Sequence, residues 1–166
     1  MASHDYLATY LDDHLAGSAA AIELIERWRA RAVSDGITTL LEEIEAELRS
    51  DQQTLIDLRG RLEGSPSVTK PIAGWLAEKL SRLKLAFVSE AAERFALFES
   101  LELLATGIQG KRAMWAALQE LTARQPRLHG LDYGVLILRA QAQYTRVDEA
   151  RMDLARKVLL GSHADS

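Results

Sequence analysis

Apolar residues recur at alternating steps of four and three residues along four long stretches of this chain. Spacing of this kind places them on one face of a helix, as packing between nearly parallel helices requires. The pattern therefore predicts four long helices, each with one buried stripe. The stripes are Leu7, Leu11, His14, Ser18, Ala21, Ile25 and Trp28; Ile37, Leu41, Ile44, Leu48, Asp51, Leu55, Leu58 and Leu62; Leu97, Leu101, Leu104, Ile108, Lys111, Trp115, Leu118 and Thr122; and Leu131, Val135, Leu138, Ala142, Thr145, Glu149 and Met152.

Each stripe contains an ionisable residue at a position where the spacing calls for a hydrophobe. Such groups are costly in the centre of a bundle unless they have partners. We therefore predict a core polar cluster of His14, Ser18, Asp51, Lys111 and Glu149.

Turn residues divide the chain into helices of a single domain covering residues 1–166. Ser34, Asp35 and Gly36 form a turn short enough to make the first two helices an antiparallel hairpin, and the segment 125–130 does the same for the last two. The longer connection from about Gly64 to Ser89 carries start signals for an amphipathic helix. The predicted helices span about 5–32, 37–63, 90–123 and 131–160, with a crossover helix at about 70–87.

Two antiparallel hairpins joined by a long crossover resemble the ferritin-like four-helix bundle. The stretches 10–17 (YLDDHLAG) and 73–80 (AGWLAEKL) are also similar to stretches of uncharacterised bacterial proteins of this size. The resemblance implies an all-α ferritin-like fold for roughly residues 5–160 and implies no activity.

The ferritin-like resemblance also implies a test for metal. Its di-iron members carry a Glu-x-x-His pair on each of two helices, and no Glu-x-x-His occurs in this sequence. Only one histidine, His14, lies on a stripe, so the usual di-iron site is expected to be absent. The alternative is an altered site for iron, manganese or zinc built from His14, Asp51, Glu102 and Glu149.

Charge favours the metal-free interpretation. A rise of about 1.5 Å per residue puts His14 and Asp51 at nearly the same height, with Lys111 close by. The ammonium of Lys111 can neutralise the carboxylates as a cation would, whereas a metal ion beside it would be repelled. We therefore expect a metal-free, self-neutralised cluster and no cofactor.

Composition narrows the class of protein. The chain is 48% hydrophobic with no cysteine, which excludes disulfides and thiolate metal sites. It begins without a signal-peptide pattern and contains no run of about 20 apolar residues, so we expect a cytoplasmic protein without a membrane partner. The net charge of −4 is unevenly distributed, with −7 in residues 1–65 and +3 in residues 66–166. No basic element with interleaved aromatics predicts nucleic-acid binding.

Glycines inside two predicted helices are a second signal. Gly17, Gly107 and Gly110 cost helix stability, so we interpret them as points of close backbone approach. The alternative is that they leave room for a ligand beside the polar cluster.

No motif of nucleophilic catalysis or phosphate binding is present, so the enzyme question stays open with a preference for no. Two functions remain. The first is a structural or protein-interaction bundle, as a homodimer or with another protein. The second is a metal-binding or oxidative bundle with the altered ligand set. The interaction surface predicted for the first is the crossover helix with Trp75, Lys79, Arg82 and Lys84.

Overall fold

The computed structural model describes residues 6–31, 34–62 and 89–160. Within these ranges the chain is all-helical and contains no strand, as the stripes predicted. The predicted crossover helix at 70–87, together with the interaction surface of Trp75, Lys79, Arg82 and Lys84, lies outside the described residues. The helices are α1 (Tyr6–Arg29), α2 (Asp35–Arg61), α3 (Glu90–Leu121) and α4 (Tyr133–Leu159), with a short 3-10 helix at Pro126–Leu128 between the last two.

Two of the helices begin at side-chain caps. The Ser89 hydroxyl accepts a hydrogen bond from the backbone N–H of Ala92 at 3.2 Å, and Asp132 Oδ1 accepts one from Val135 at 3.1 Å. Each cap satisfies a backbone donor that the first helical turn cannot pair. The caps therefore fix where α3 and α4 start.

Each helix contacts two neighbours. α1 packs on α2, α3 packs on α4, and further contacts join α1 to α3 and α2 to α4. α1 and α2 are antiparallel, since residues early in α1 contact residues late in α2 and the reverse. These contacts comprise Asp12 with Arg59, Ser18 with Gln52, and Arg29 with Glu42.

Among the described residues the interior consists of two apolar clusters separated by a polar layer. On α2, Leu48 belongs to one cluster and Leu55 to the other, with Asp51 between them. On α3, Ile108 and Met114 lie on either side of Lys111 in the same way. The polar positions of these stripes therefore divide a continuous apolar core into two parts.

The first three predicted stripes face the interior, but the fourth prediction is wrong. Val135 and Leu138 are 55% and 70% exposed, and Ala142, Thr145, Glu149 and Met152 are exposed as well. The buried residues of α4 are Tyr133, Leu136, Ala140, Gln143 and Val147. The reason is that α4 carries apolar side chains on two faces. The face that turns inward is the one on which Gln143 meets polar partners from α2 and α3.

Candidate functional site

Asp51 is the centre of the polar layer. It is only 3% exposed, and its two carboxylate oxygens accept from side chains of two other helices. Oδ2 accepts from the Lys111 ammonium on α3 and, at 3.3 Å, from the amide of Gln143 on α4. Oδ1 accepts from the Arg139 guanidinium on α4. One carboxylate thus joins α2 to α3 and α4.

Gln143 extends this arrangement toward the surface. Its side chain is fully buried; the amide oxygen accepts from Lys111 and the amide nitrogen donates to Glu47 at 2.9 Å. Glu47 in turn accepts from Arg146 Nη2 at 2.6 and 2.7 Å. Positive and negative groups therefore alternate from the interior to the half-exposed Arg146. The core polar cluster observed in the structure, which keeps only Asp51 and Lys111 of the predicted members, comprises Glu47, Asp51, Lys111, Arg139, Gln143 and Arg146.

Burial and ion pairing shift the pKa of Lys111 in opposite directions. Its side chain is 12% exposed. Burial lowers its pKa, whereas the charge of Asp51 and the hydrogen bond to it raise the pKa. The net shift is downward, so desolvation outweighs attraction. Loss of Asp51 would be the more expensive change, because it leaves the buried ammonium without a carboxylate, whereas loss of Lys111 leaves Asp51 with Arg139 as its counter-ion.

His14 and Ser18 lie beside the cluster rather than in it. Ser18 accepts from Gln52 at 2.8 Å and donates to the carbonyl of Leu15. His14 is half-buried and packs edge-on against Tyr10, with ring centroids 4.7 Å apart. Burial lowers the pKa of His14, partly opposed by Asp13, so the neutral imidazole is favoured near neutral pH. The sequence placed His14 at the height of Asp51, but the side chains that donate to Asp51 are Lys111, Arg139 and Gln143.

Two other predicted site residues are on the surface. Glu149 is exposed on the outer side of α4, which corrects its assignment to the core. Glu102 is exposed on α3 and lies 3.9 Å from Arg151. The alternative ligand set is therefore split between the interior and the surface. In the described part of the chain, no three histidine or acidic side chains are grouped so that they could hold a metal ion.

A cavity of about 300 Å³ adjoins the cluster between α1 and α3. His14, Gly17, Gly107 and Gly110 line it, and Asp51 and Lys111 reach it from the interior. A Cβ built on any of the three glycines meets no atom within 4 Å. The interpretation of these glycines as close backbone contacts is therefore wrong. They border open space.

The sequence pattern did not predict four members of the cluster, namely Glu47, Arg139, Gln143 and Arg146. Gln143 carries no charge, and Arg139 and Arg146 are common residues on an exposed helix face. One signal was present in the sequence, since Arg139, Gln143 and Arg146 follow one another at steps of four and three. That spacing puts them on one face of α4, but only the helix rotation shows that this face meets Asp51.

The chain matches no family model, no curated protein and no solved structure. None of the described helices is long and apolar enough to span a membrane.

Proposed function

We propose that this chain is a metal-free ferritin-like bundle that works by association with a second copy of itself. Its core polar cluster fixes how the helices pair, and the outward face of α4 is the contact surface. The exposed apolar face of α4 is the observation that carries the proposal.

The order of helix contacts supports the ferritin-like arrangement. α1 touches α2 and α3, while α4 touches α3 and α2, as in a square of four helices. α4 and α2 are antiparallel, as two ion pairs between them show: Arg139 with Asp51 and Arg146 with Glu43. In a ferritin-like bundle each neighbouring pair is antiparallel, and the long crossover makes the second and third helices parallel.

The composition of the core polar cluster supports the absence of a resident metal. Lys111 and Arg139 both donate to Asp51, so the carboxylate most deeply buried is already neutralised by two cations. A metal ion there would have to displace Lys111 or lie beside its positive charge.

The outer seam of α4 consists of exposed residues at alternating steps of three and four, the spacing of a helix-pairing face. Its large apolar members are 55% (Val135), 70% (Leu138) and 42% (Met152) exposed. Val135, Leu138 and Ala142 form the apolar half of this seam, and exposed apolar surface of this kind supports its use as a contact surface. The outer seam comprises Val135, Leu138, Ala142, Thr145, Glu149 and Met152.

A second copy fits this seam because the seam is complementary to itself. In an antiparallel pair with the two-fold axis midway between Ala142 and Thr145, Val135 of one copy comes level with Met152 of the other, and Leu138 comes level with Glu149. Arg139 follows Leu138 in the chain and its side chain is 32% exposed, so it offers a positive charge near the Glu149 carboxylate of the other copy. A two-fold contact that uses one patch twice is the commonest form of association between identical chains.

Sedimentation at several concentrations tests the association. We expect the wild-type protein to sediment at twice its mass of 18.4 kDa, and Leu138→Glu to sediment as a folded monomer. The matched control is Ile56→Glu, which places the same charge at a 45% exposed apolar site on α2 and should leave the dimer intact. A wild-type monomer at every concentration, or equal dissociation in both variants, would contradict the proposal.

Metal analysis tests the cluster separately. Protein purified without a histidine tag is expected to contain no stoichiometric iron, manganese or zinc, and Asp51→Ala should not change this. Bound metal that disappears in Asp51→Ala would instead establish the altered metal site.

A further inference from the structure

The cavity between α1 and α3 is an apolar groove that opens to solvent. Its floor includes the buried side chains of Leu24, Leu104 and Met114. Its α3 edge carries Gly107 and Gly110, which are exposed among the described residues and would allow a Cβ with no atom within 4 Å. The groove is therefore a surface on which a further stretch of chain can pack.

The connection between α2 and α3 starts and ends at opposite ends of the bundle. At the end of α2, Arg61 Nη1 donates to the carbonyl of His129 at 3.0 Å, in the link between α3 and α4. At the start of α3, Glu93 lies 3.7 Å from Arg31, just after α1. α3 joins these two ends with 32 residues, which rise about 48 Å. Residues 63–88 must therefore travel nearly the whole length of the bundle.

The connection has little length to spare for this path. Its 26 residues would span only about 39 Å as a continuous helix. With the predicted helix at 70–87, the helix contributes about 27 Å and the other eight residues contribute at most about 27 Å. A chain of that reach can follow the side of the bundle but cannot leave it and return.

The connection must pass over α1 or over α4, because each of these helices contacts both α2 and α3. Over α4, charged side chains cross the path, with Arg146 3.3 Å from Glu43 and Arg151 3.9 Å from Glu102. Over α1, the path leads into the apolar groove. Packing therefore favours the route over α1 for a segment with one apolar side.

Charge favours the same route. Residues 66–88 contain four basic residues and one acidic residue, a net charge of +3. α1 has a net charge of −2, from four acidic and two basic residues, whereas α4 has +2, from three acidic and five basic residues. Opposite charges attract, so the segment is drawn to α1 rather than to α4.

The apolar side of the segment fits the groove in register. Two antiparallel helices place residues at equal height when they are equally far from the turn that joins them. Ile72, 17 residues before Ser89, therefore comes level with Thr106, 17 residues after it and next to Gly107. The apolar residues of the segment recur at steps of three and four and are Ile72, Leu76, Leu80, Leu83 and Phe87.

We propose that the groove between α1 and α3 is the docking surface for the chain's own segment 70–87, with Ile72 as the residue that packs beside Gly107. Docking removes the apolar side of the segment and the groove from water together. It also holds α1 against α3. The docked segment lies on different helices from the outer seam of α4, so this proposal does not depend on association of two copies.

Thiol accessibility tests the docking, because the chain has no cysteine of its own. We expect the thiol in Gly107→Cys to react with the disulfide reagent DTNB at least about 10-fold more slowly than that in Ile56→Cys, since the docked segment must open first. Ile56 is a 45% exposed site on α2. Adding Ile72→Asp should restore the fast rate, because an unpaired carboxylate is unfavourable in the groove. Ser81→Asp, the matched control, adds the same charge on the opposite side of the segment and should leave the slow rate unchanged.

Proteolysis gives a second measurement that needs no cysteine. Gly107→Trp fills the groove, so trypsin should cut after Lys79, Arg82 or Lys84 at least about 5-fold faster than in the wild-type protein. Gly60→Trp is the control and should not change the rate, because Gly60 is also helical with open space around its Cβ but does not line the groove. Far-ultraviolet circular dichroism would verify that all variants fold.

Four results would overturn the proposal. The first is a thiol in folded Gly107→Cys that reacts as fast as that in Ile56→Cys. The second is protection that persists with Ile72→Asp. The third is protection that weakens on dilution, which would indicate a second copy in the groove, since docking within one chain does not depend on concentration. The fourth is equal cleavage of the wild-type protein and folded Gly107→Trp.

Discussion

Replacing Asp51 with asparagine should be one of the most damaging conservative changes in this protein. The substitution keeps the volume but removes the charge that Lys111 and Arg139 share. Arg139 is 32% exposed and can turn to water, whereas Lys111 is only 12% exposed and cannot do so as easily. An ion left without its partner in the interior costs about 3 to 5 kcal/mol, so we expect Asp51→Asn to lower the free energy of unfolding by about that amount.

The partner variant should cost less. In Lys111→Met, Asp51 keeps its contacts with Arg139 and Gln143, so the loss should be about 1 to 3 kcal/mol. The double variant leaves no ammonium without its counter-ion. Its cost should therefore fall below the sum of the single costs by at least about 1 kcal/mol, as expected for residues in direct contact.

Urea unfolding followed by far-ultraviolet circular dichroism would measure all three variants. Asp153→Asn is the control, because Asp153 pairs with Arg156 at 2.5 Å while both side chains are more than two thirds exposed (69% and 67%). Such a pair contributes little, and we expect a change within about 0.5 kcal/mol. Strictly additive costs, or a loss in Asp51→Asn no larger than in the control, would refute the burial argument.

Three further predictions concern single positions. Burial lowers the pKa of His14 from 6.5, so the unfolded state binds the imidazole proton more tightly than the folded state does. The free energy of unfolding should therefore fall as the pH drops from 6.5 toward the lowered pKa. Urea titrations at about pH 7 and about pH 5 should show that this pH-dependent part of the stability is lost in His14→Leu. Gly107→Ala should raise the free energy of unfolding by up to about 1 kcal/mol, because alanine has the higher helix propensity. Gly130→Ala should lower it by about 1 kcal/mol, because Gly130 has a φ of +88°. Melting temperatures that shift in the same direction for both variants would contradict this pair of predictions. Asp132→Ala should cost about 0.5 to 2 kcal/mol through loss of the α4 cap, and an unchanged melting temperature would show that the cap contributes nothing.

Much of the fold could be predicted from periodicity because three helices have only one apolar face. On α2, for example, Leu48 and Leu55 sit on the single face that can be buried, and Asp51 must go with them. α4 is different because Leu136 and Leu138 are both apolar yet face opposite ways, at 8% and 70% exposure. Local spacing cannot choose between two such faces.

The candidate site, too, could be predicted only in part from the sequence. Asp51 and Lys111 could be predicted as core charges from their own stripes, and their pairing follows from sign. Gln143 could not, since an uncharged polar residue gives no such signal, and Glu149 was assigned to the interior because the wrong face of α4 was chosen. The cavity depends on the distance between α1 and α3, which three glycines alone do not specify.

The sequence by itself determined that the described parts of this chain are helical, where the four long described helices begin and end to within about three residues, and that Asp51 and Lys111 would enter the core of two of them. Those properties depend on residues a few positions apart. Only the tertiary structure decided the rotation of α4, the partners of Asp51 and the cavity between α1 and α3. Each of these is set by contacts between residues far apart in the chain, where one polar network and the packing of two helices outweigh local preference.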